Sequence, residues 1–177
     1  MNQWKSFGID PDNMRVAHDA ANINKFHNTV SKKEARTQLG LNDKLSLVVY
    51  TGSLKPGKGV DVLIQCANTL PDVYFILVGG QKQQIEKLTQ QVKFRNVRFF
   101  GSVPPTRVPV FQAAADILAL PNTRGSVIDD VTSPMKLFEY IASERPIVAT
   151  DIPSILEILK HRHNALINTA GDVRKLS

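Results

Sequence analysis

Short apolar, β-rich runs alternate with segments of helical periodicity along most of the chain, and this alternation restricts the fold more than any other feature. The apolar runs fall at 45–51, 73–78, 97–100, 116–120, 147–150 and 165–167, and the helical segments at 60–69, 81–91, 106–115, 134–143 and 153–159. Runs such as LSLVVY and VYFILVGG are apolar at consecutive positions, the mark of strands covered by helices on both faces. Short connections repeated in this order require right-handed crossovers. The expected fold is therefore α/β: a single domain with a Rossmann-like, doubly wound sheet of about six parallel strands flanked by helices. A further helix is expected after Ser31, where Ser31 and Glu34 form a capping box. A chain of 177 residues is long enough to bury a core of this kind.

In open parallel sheets ligands sit beyond the carboxyl ends of the strands, which directs attention to the loops there. The first reads YTGSLKPGKGV, with Gly52, Gly57 and Lys58 spaced as in a phosphate-binding P-loop. A P-loop carries a magnesium-ligating hydroxyl directly after its lysine, and here that position is Gly59. Pro56 also removes an amide from the stretch that would cradle phosphate. A P-loop NTPase is thus disfavoured, although Gly52 and Lys58 still suit a phosphate held without a metal of its own. The same residues also fit a surface turn with a solvated lysine.

The second informative stretch is VTSPMKLFEYIAS, residues 131–143. Ser133 is a natural N-cap and Pro134 suits the first helical position. Leu137, Phe138 and Ile141 are expected on the buried face, with Lys136, Glu139 and Ser143 on another. A cation at Lys136 opposes the helix dipole, and a bound anion would relieve that. Glu139 is placed to accept hydrogen bonds from sugar hydroxyls; the alternative is a packed helix with both charges solvated.

Net charge is +6, which favours an anionic partner, but the cations are scattered and no aromatic RNA-binding motif accompanies them, so nucleic acid is not expected. The single cysteine, Cys66, excludes a disulfide framework and agrees with a reducing, cytoplasmic compartment. No apolar run approaches the roughly 20 residues that span a bilayer. Of the four histidines, His27, His161 and His163 are expected on the surface, and His161 and His163 are too isolated from other ligands to support a zinc site.

Taken together and in order, TGSLKPGKGVDVLI, YFILVGG, VRFFGSVPPTRVPVFQAAADILALP and TSPMKLFEYIASERPIVATDIPSILEIL resemble the donor-binding C-terminal domain of group 1 glycosyltransferases, glycosyltransferase family 4 of the GT-B fold. The resemblance runs from about residue 16 to about residue 172. It implies an enzyme that moves a sugar from a nucleotide-diphosphate sugar, such as a UDP- or GDP-sugar, to a glycan or lipid-linked acceptor with retention of configuration. No metal and no other cofactor are implied. Lys58 would hold the donor diphosphate and, with Lys136, serve as the catalytic cation. Gly52 and Ser53 would approach the phosphates, Ser53 standing where the family often has arginine. Gly79 and Gly80 would let a loop pass close to the donor. Ser102 and Val103, following Gly101, would meet the nucleobase, and Thr132 and Ser133 the phosphates. Glu139 would bind the ribose. The family's paired glutamate falls at Val131; Asp129 or Asp130 would substitute for it, or else the two belong to a solvated acidic loop.

The resemblance further implies that residues 1–30 are an interdomain entry segment, in which His18 faces the cleft, and that 31–177 are the nucleotide-sugar-binding domain. The acceptor domain would precede this sequence, and the isolated piece is expected to transfer little or nothing. Peripheral contact with the cytoplasmic membrane face would suit a lipid-linked acceptor. A non-catalytic nucleotide-binding module derived from such a domain is the competing reading, favoured by Ser53 and Val131.

Overall fold

The structure, a computed structural model, describes residues 7–8, 10–13, 15, 17–26, 30–124 and 135–176. The apolar runs form six strands: β1 (Ser46–Thr51), β2 (Val73–Val78), β3 (Val97–Gly101), β4 (Ile117–Leu120), β5 (Ile147–Thr150) and β6 (Leu166–Asn168). They make one parallel sheet in the order β3-β2-β1-β4-β5-β6. The order reverses between β1 and β4, so the crevice of a doubly wound sheet lies at their carboxyl ends. The described helices are α1 (Ile23–Phe26), α2 (Lys32–Gln38), α3 (Val60–Ala67), α4 (Lys82–Thr89), α5 (Val108–Ala114), α6 (Met135–Ala142), α7 (Pro153–Leu156) and α8 (Val173–Leu176).

Strand alternation divides the core between two faces. Leu47 and Val49 of β1, Ile76 and Val78 of β2, and Leu118 and Leu120 of β4 pack with α2, α5, α6 and α7. Tyr50 of β1, Phe75 and Leu77 of β2, and Ala119 of β4 pack with α3, and with α4 and α8 at its margin. The side chains of one strand thus serve both helical layers, which is why the runs read as continuously apolar. Cys66 is buried in the second cluster.

Several elements differ in extent from expectation. The capping box at Ser31 forms: Glu34 N–H donates to Ser31 Oγ at 3.2 Å, and Ser31 N–H to Glu34 Oε2 at 2.9 Å. The helix expected from 106 begins instead as a 3-10 turn at Pro105–Arg107 and becomes α-helical at Val108. The helix expected over 153–159 closes at Leu156, although Glu157 N–H still donates to Pro153 O at 3.2 Å and Leu159 N–H to Ile155 O at 2.8 Å. Asp116, expected in β4, stands just before it as a polar hub. Its carboxylate accepts from Arg36 Nη2 at 2.8 Å, Lys32 Nζ at 2.9 Å and the Leu47 N–H at 2.8 Å. Arg36 is 2% exposed and also donates to the carbonyls of Ala114 and Asp43. Among the described residues no helix is long and apolar enough to cross a membrane.

Candidate functional site

Three strands end side by side, and their hydrogen-bond ladder continues one residue further through glycine. Gly52 N–H donates to Val78 O at 2.8 Å, and Gly79 N–H to Gly101 O at 2.6 Å. A Cβ on Gly79 would stand 2.0 Å from Gly52 O, so only glycine allows this approach. Gly52, Ser53, Gly79, Gly80 and Ser102 line one cavity of about 300 Å³. Ser102 Oγ donates to Gly80 O at 3.1 Å across its rim. Val103 is only partly exposed and packs against the first core cluster, outside that cavity lining.

The turn from Gly52 to Gly59 is fastened at two points. Lys58 N–H donates to Lys55 O at 3.2 Å, and Gly57 O accepts from Thr123 N–H, beyond β4, at 3.2 Å. Gly59 occupies the N-cap of α3 with φ 71°, and a Cβ there would lie 1.6 Å from the carbonyl oxygen of Pro121. The position that would carry the P-loop hydroxyl has no room for any side chain. That packing across the switch point is the structural reason for glycine directly after Lys58.

α6 brings the second stretch to the same edge. Lys136 reaches over the sheet end, where its Nζ donates to Tyr50 Oη at 2.9 Å and lies 4.1 Å from the Tyr50 ring centroid. The direction in which a Cβ would leave Gly52 points to the same ammonium, 3.4 Å away. Tyr50 Oη in turn donates to Ser53 O at 2.7 Å. Burial, reinforced by the charge of Lys58, pushes the Lys136 ammonium down to about 7, with Glu139 acting in the opposite direction. The charge of Lys58 is therefore felt at the Lys136 ammonium.

Glu139, one turn along α6, is half-buried. Burial holds its carboxyl above the ordinary range, against the opposing effects of Gln112 and Lys136. Gln112, fully buried on α5, extends Nε2 toward Glu139 Oε2 at 3.5 Å and Thr51 Oγ1 at 3.3 Å, while its Oε1 has no hydrogen-bond partner among the described residues. Glu139 opens onto a neighbouring cavity of about 370 Å³ that Asn22, Lys25, Thr106 and Met135 also line. The structure thus groups Gly52, Ser53, Gly79, Gly80 and Ser102 in one cavity and Glu139 in another, with Lys136 against Gly52. Thr132 and Ser133, together with Val131, Asp129 and Asp130, lie outside the described residues.

The buried face of α6 keeps Leu137 and Phe138 as expected but takes in Tyr140 instead of Ile141. Leu137 and Tyr140 are fully buried and Phe138 partly so, whereas Ile141 is 43% exposed. Tyr140 turns inward because its hydroxyl has a partner, accepting the Thr51 N–H at 2.9 Å at the end of β1. Burial pushes that phenol up to about 12. Tyr50, Tyr140 and Gln112 all belong to the site's framework and were not singled out by motif spacing. The available signal was polarity at positions of otherwise apolar segments, LVVYT, FQAAA and LFEYIA.

His18 lies near α6, with Nε2 3.7 Å from Glu157 Oε2 and its ring 6.5 Å from that of Phe138. His161 accepts the Ile167 N–H at Nδ1, 3.0 Å away. His27 is outside the described residues. Among the described residues no group of three His, Cys, Asp or Glu side chains could hold a metal ion.

Comparison with known proteins matches residues 31–177 to the family described as "Glycosyl transferases group 1". The chain is 29% identical over 173 residues to alpha-galactosylglucosyldiacylglycerol synthase of Streptococcus pneumoniae, covering 93% of this chain and 44% of that protein. Anabaena Alr3699/HepE, crystallised with UDP and glucose, superposes with a TM-score of 0.80 at 24% identity, over 99% of this chain and 48% of its own. The C-terminal domain of the group 1 glycosyltransferase LpcC from Francisella tularensis superposes with a TM-score of 0.68 at 17% identity, over 89% of this chain and 84% of its own. The chain spans less than half the length of the curated relatives it matches. With the family match extending over most of its residues, the chain belongs to the group 1 glycosyltransferases.

Proposed function

We propose that this chain is the donor-binding domain of a retaining glycosyltransferase, taking a nucleotide-diphosphate sugar and passing the sugar to a glycan or lipid-linked acceptor. The observation that carries the reading is Lys136 standing over Gly52 at the end of β1, beside the topological switch point, with the charge of Lys58 acting on its ammonium. Two cations, one from a loop and one from a helix and poorly solvated, fit a compact dianion better than they fit each other. The crystallisation of Alr3699/HepE with UDP and glucose supports a nucleotide-sugar donor. On this reading residues 1–30 lead into the domain formed by 31–177, and a preceding acceptor domain completes the enzyme at the cytoplasmic membrane face.

The chemistry follows from where charge develops. As the bond from the sugar's anomeric carbon to the phosphate oxygen breaks, the electron pair stays with the diphosphate and the sugar becomes cation-like. Lys58 and Lys136, fixed before the step, stabilise the leaving diphosphate in the manner of an oxyanion hole and need no metal to do so. Glu139 accepts hydrogen bonds from the ribose hydroxyls.

Titration of the chain with UDP, GDP and ADP in the presence of a chelator tests the reading. At least one is expected to bind without magnesium; strict dependence on magnesium and ATP would overturn it. Lys136→Met separates the contribution to binding from the contribution to stability. Binding of the diphosphate should weaken about 10- to 100-fold, corresponding to one lost charge-assisted hydrogen bond. Stability should rise. A lysine whose folded pKa lies below its unfolded value costs stability fully below about 7 and ceases to do so above its ordinary range. The gain in melting temperature should therefore be largest at or below neutral pH and shrink toward pH 10.5, as thermal melts at several pH values would show.

A further inference from the structure

Tyr50 stands at the centre of the contacts at the sheet end, yet the donor-site reading gives it no part in binding. It is fully buried near the end of β1, among side chains of the α3 face, whereas Lys136 comes from α6 on the opposite face. The phenol has one proton, and it goes to Ser53 O at 2.7 Å. The oxygen's lone pairs remain for the Lys136 ammonium at 2.9 Å. One hydroxyl therefore joins the turn after β1 to the cation from α6.

We propose that Tyr50 is a positioning residue for the donor diphosphate: its hydroxyl holds the Lys136 ammonium and the Gly52–Ser53 turn in one arrangement, so that both meet the same anion. This rests on the donor-site reading given above. The charged and titratable groups facing Lys136 are Lys58 from the turn before α3, Glu139 from α6 itself, and Tyr50 from β1. The hydroxyl of Tyr140 accepts the Thr51 N–H, and the Lys136 ammonium is bonded to Tyr50. Of the groups facing Lys136, Tyr50 is the one with a hydrogen bond to both parts of the site.

The consequence is a dependence on pH that packing alone would not give. Tyr50→Phe keeps the ring beneath the cation and removes the acceptor, so Lys136 holds its proton less readily. At low pH the lysine is charged in both proteins, and their affinities converge. As pH rises, the variant loses its cation first.

Dissociation constants are measured from pH 6 to 8.5 for the 177-residue chain and for Tyr50→Phe, with whichever of UDP, GDP and ADP the wild-type chain binds. Titration of the ligand itself cancels in the ratio of the two constants. The ratio is expected near unity at pH 6 and at least about threefold at pH 8.5, equivalent to about half a pKa unit or more at Lys136. Tyr50→4-aminophenylalanine, neutral in this range, keeps the ring and a donor to Ser53 O while weakening the acceptor. It should behave like Tyr50→Phe, and it replaces that variant if the phenylalanine protein fails to fold. A ratio that stays constant across the pH range, in the variant that folds, would show a packing role only and overturn the proposal. Failure of the wild-type chain to bind any of the three nucleotides would overturn the donor-site reading and this inference with it. A flat ratio with binding intact would remove this inference alone.

Discussion

Gly59→Ala is expected to destabilise the domain by at least about 3 kcal/mol, a large share of the roughly 5–15 kcal/mol available to a domain of ordinary stability. Two costs combine. An alanine held at φ 71° carries roughly 1 kcal/mol of backbone strain, and a Cβ 1.6 Å from Pro121 O forces apart two loops at the switch point. The neighbour at fault is backbone rather than the end of a flexible chain, so local relaxation is limited. A fall in melting temperature of about 6 °C or more would accompany the change. Gly57→Ala is the control, since it shares a positive φ of 82° but meets nothing within 4 Å, and it should lose only about 1 kcal/mol. Similar melting temperatures for the two variants would mean that Gly59 and Pro121 are not in contact. The result also bears on chemistry. Serine or threonine at 59 would suffer as alanine does, so the fold itself excludes the magnesium-ligating hydroxyl of a P-loop.

Asp116→Ala is expected to cost about 3–5 kcal/mol, the usual consequence of leaving a buried charge without its counter-ion. Arg36 is 2% exposed and cannot move to water when its carboxylate is removed. The Leu47 N–H at the entrance to β1 also loses its acceptor. Burial alone would raise the Asp116 carboxyl, but the Leu47 amide, Lys32 and Arg36 outweigh it and hold the group below its ordinary range. The sign of the pH dependence follows from that. Stabilisation by Asp116 is present above the ordinary carboxylate pKa of about 4 and is lost as pH falls through the lower folded value. Urea unfolding at pH 7 and at progressively lower pH should show the gap between wild type and Asp116→Ala narrowing as acid is added. A gap independent of pH would assign the loss to packing instead of charge.

What the sequence reveals of this molecule depends on whether an interaction is local. The doubly wound sheet is legible because each strand is apolar at consecutive positions, a property of the strand itself. The Ser31–Glu34 box is legible for the same reason, since its partners are three residues apart. Asp116 is misread as strand because its partners, Lys32 and Arg36, are about eighty positions away. Tyr140 is overlooked and Ile141 wrongly assigned inward, because the periodicity of an eight-residue helix leaves the edge of its apolar face undefined. Only the distant Thr51 amide decides between them. Tyr50 and Gln112 escape notice likewise: their partners on α6 lie 86 and 27 positions away. The sequence reveals that Gly59 lacks a hydroxyl, but Pro121 supplies the reason from across the sheet. Motif spacing thus locates the two loops, and the packing between them stays invisible until the chain is folded.

On the proposed reading, the loop bearing Lys58 and the helix bearing Lys136 address one anion. The most direct test is the pH dependence of nucleoside diphosphate binding by Lys58→Ala compared with wild type, using UDP, GDP or ADP according to which binds. In the wild-type chain, affinity should fall as pH rises through about 7, where Lys136 loses its proton. In Lys58→Ala the affinity at low pH should drop, because one cation is gone. The midpoint of the fall should move to higher pH, because Lys136 no longer feels the charge of its neighbour. An unmoved midpoint, with the same proportional loss at every pH, would mean that the two lysines do not share a site.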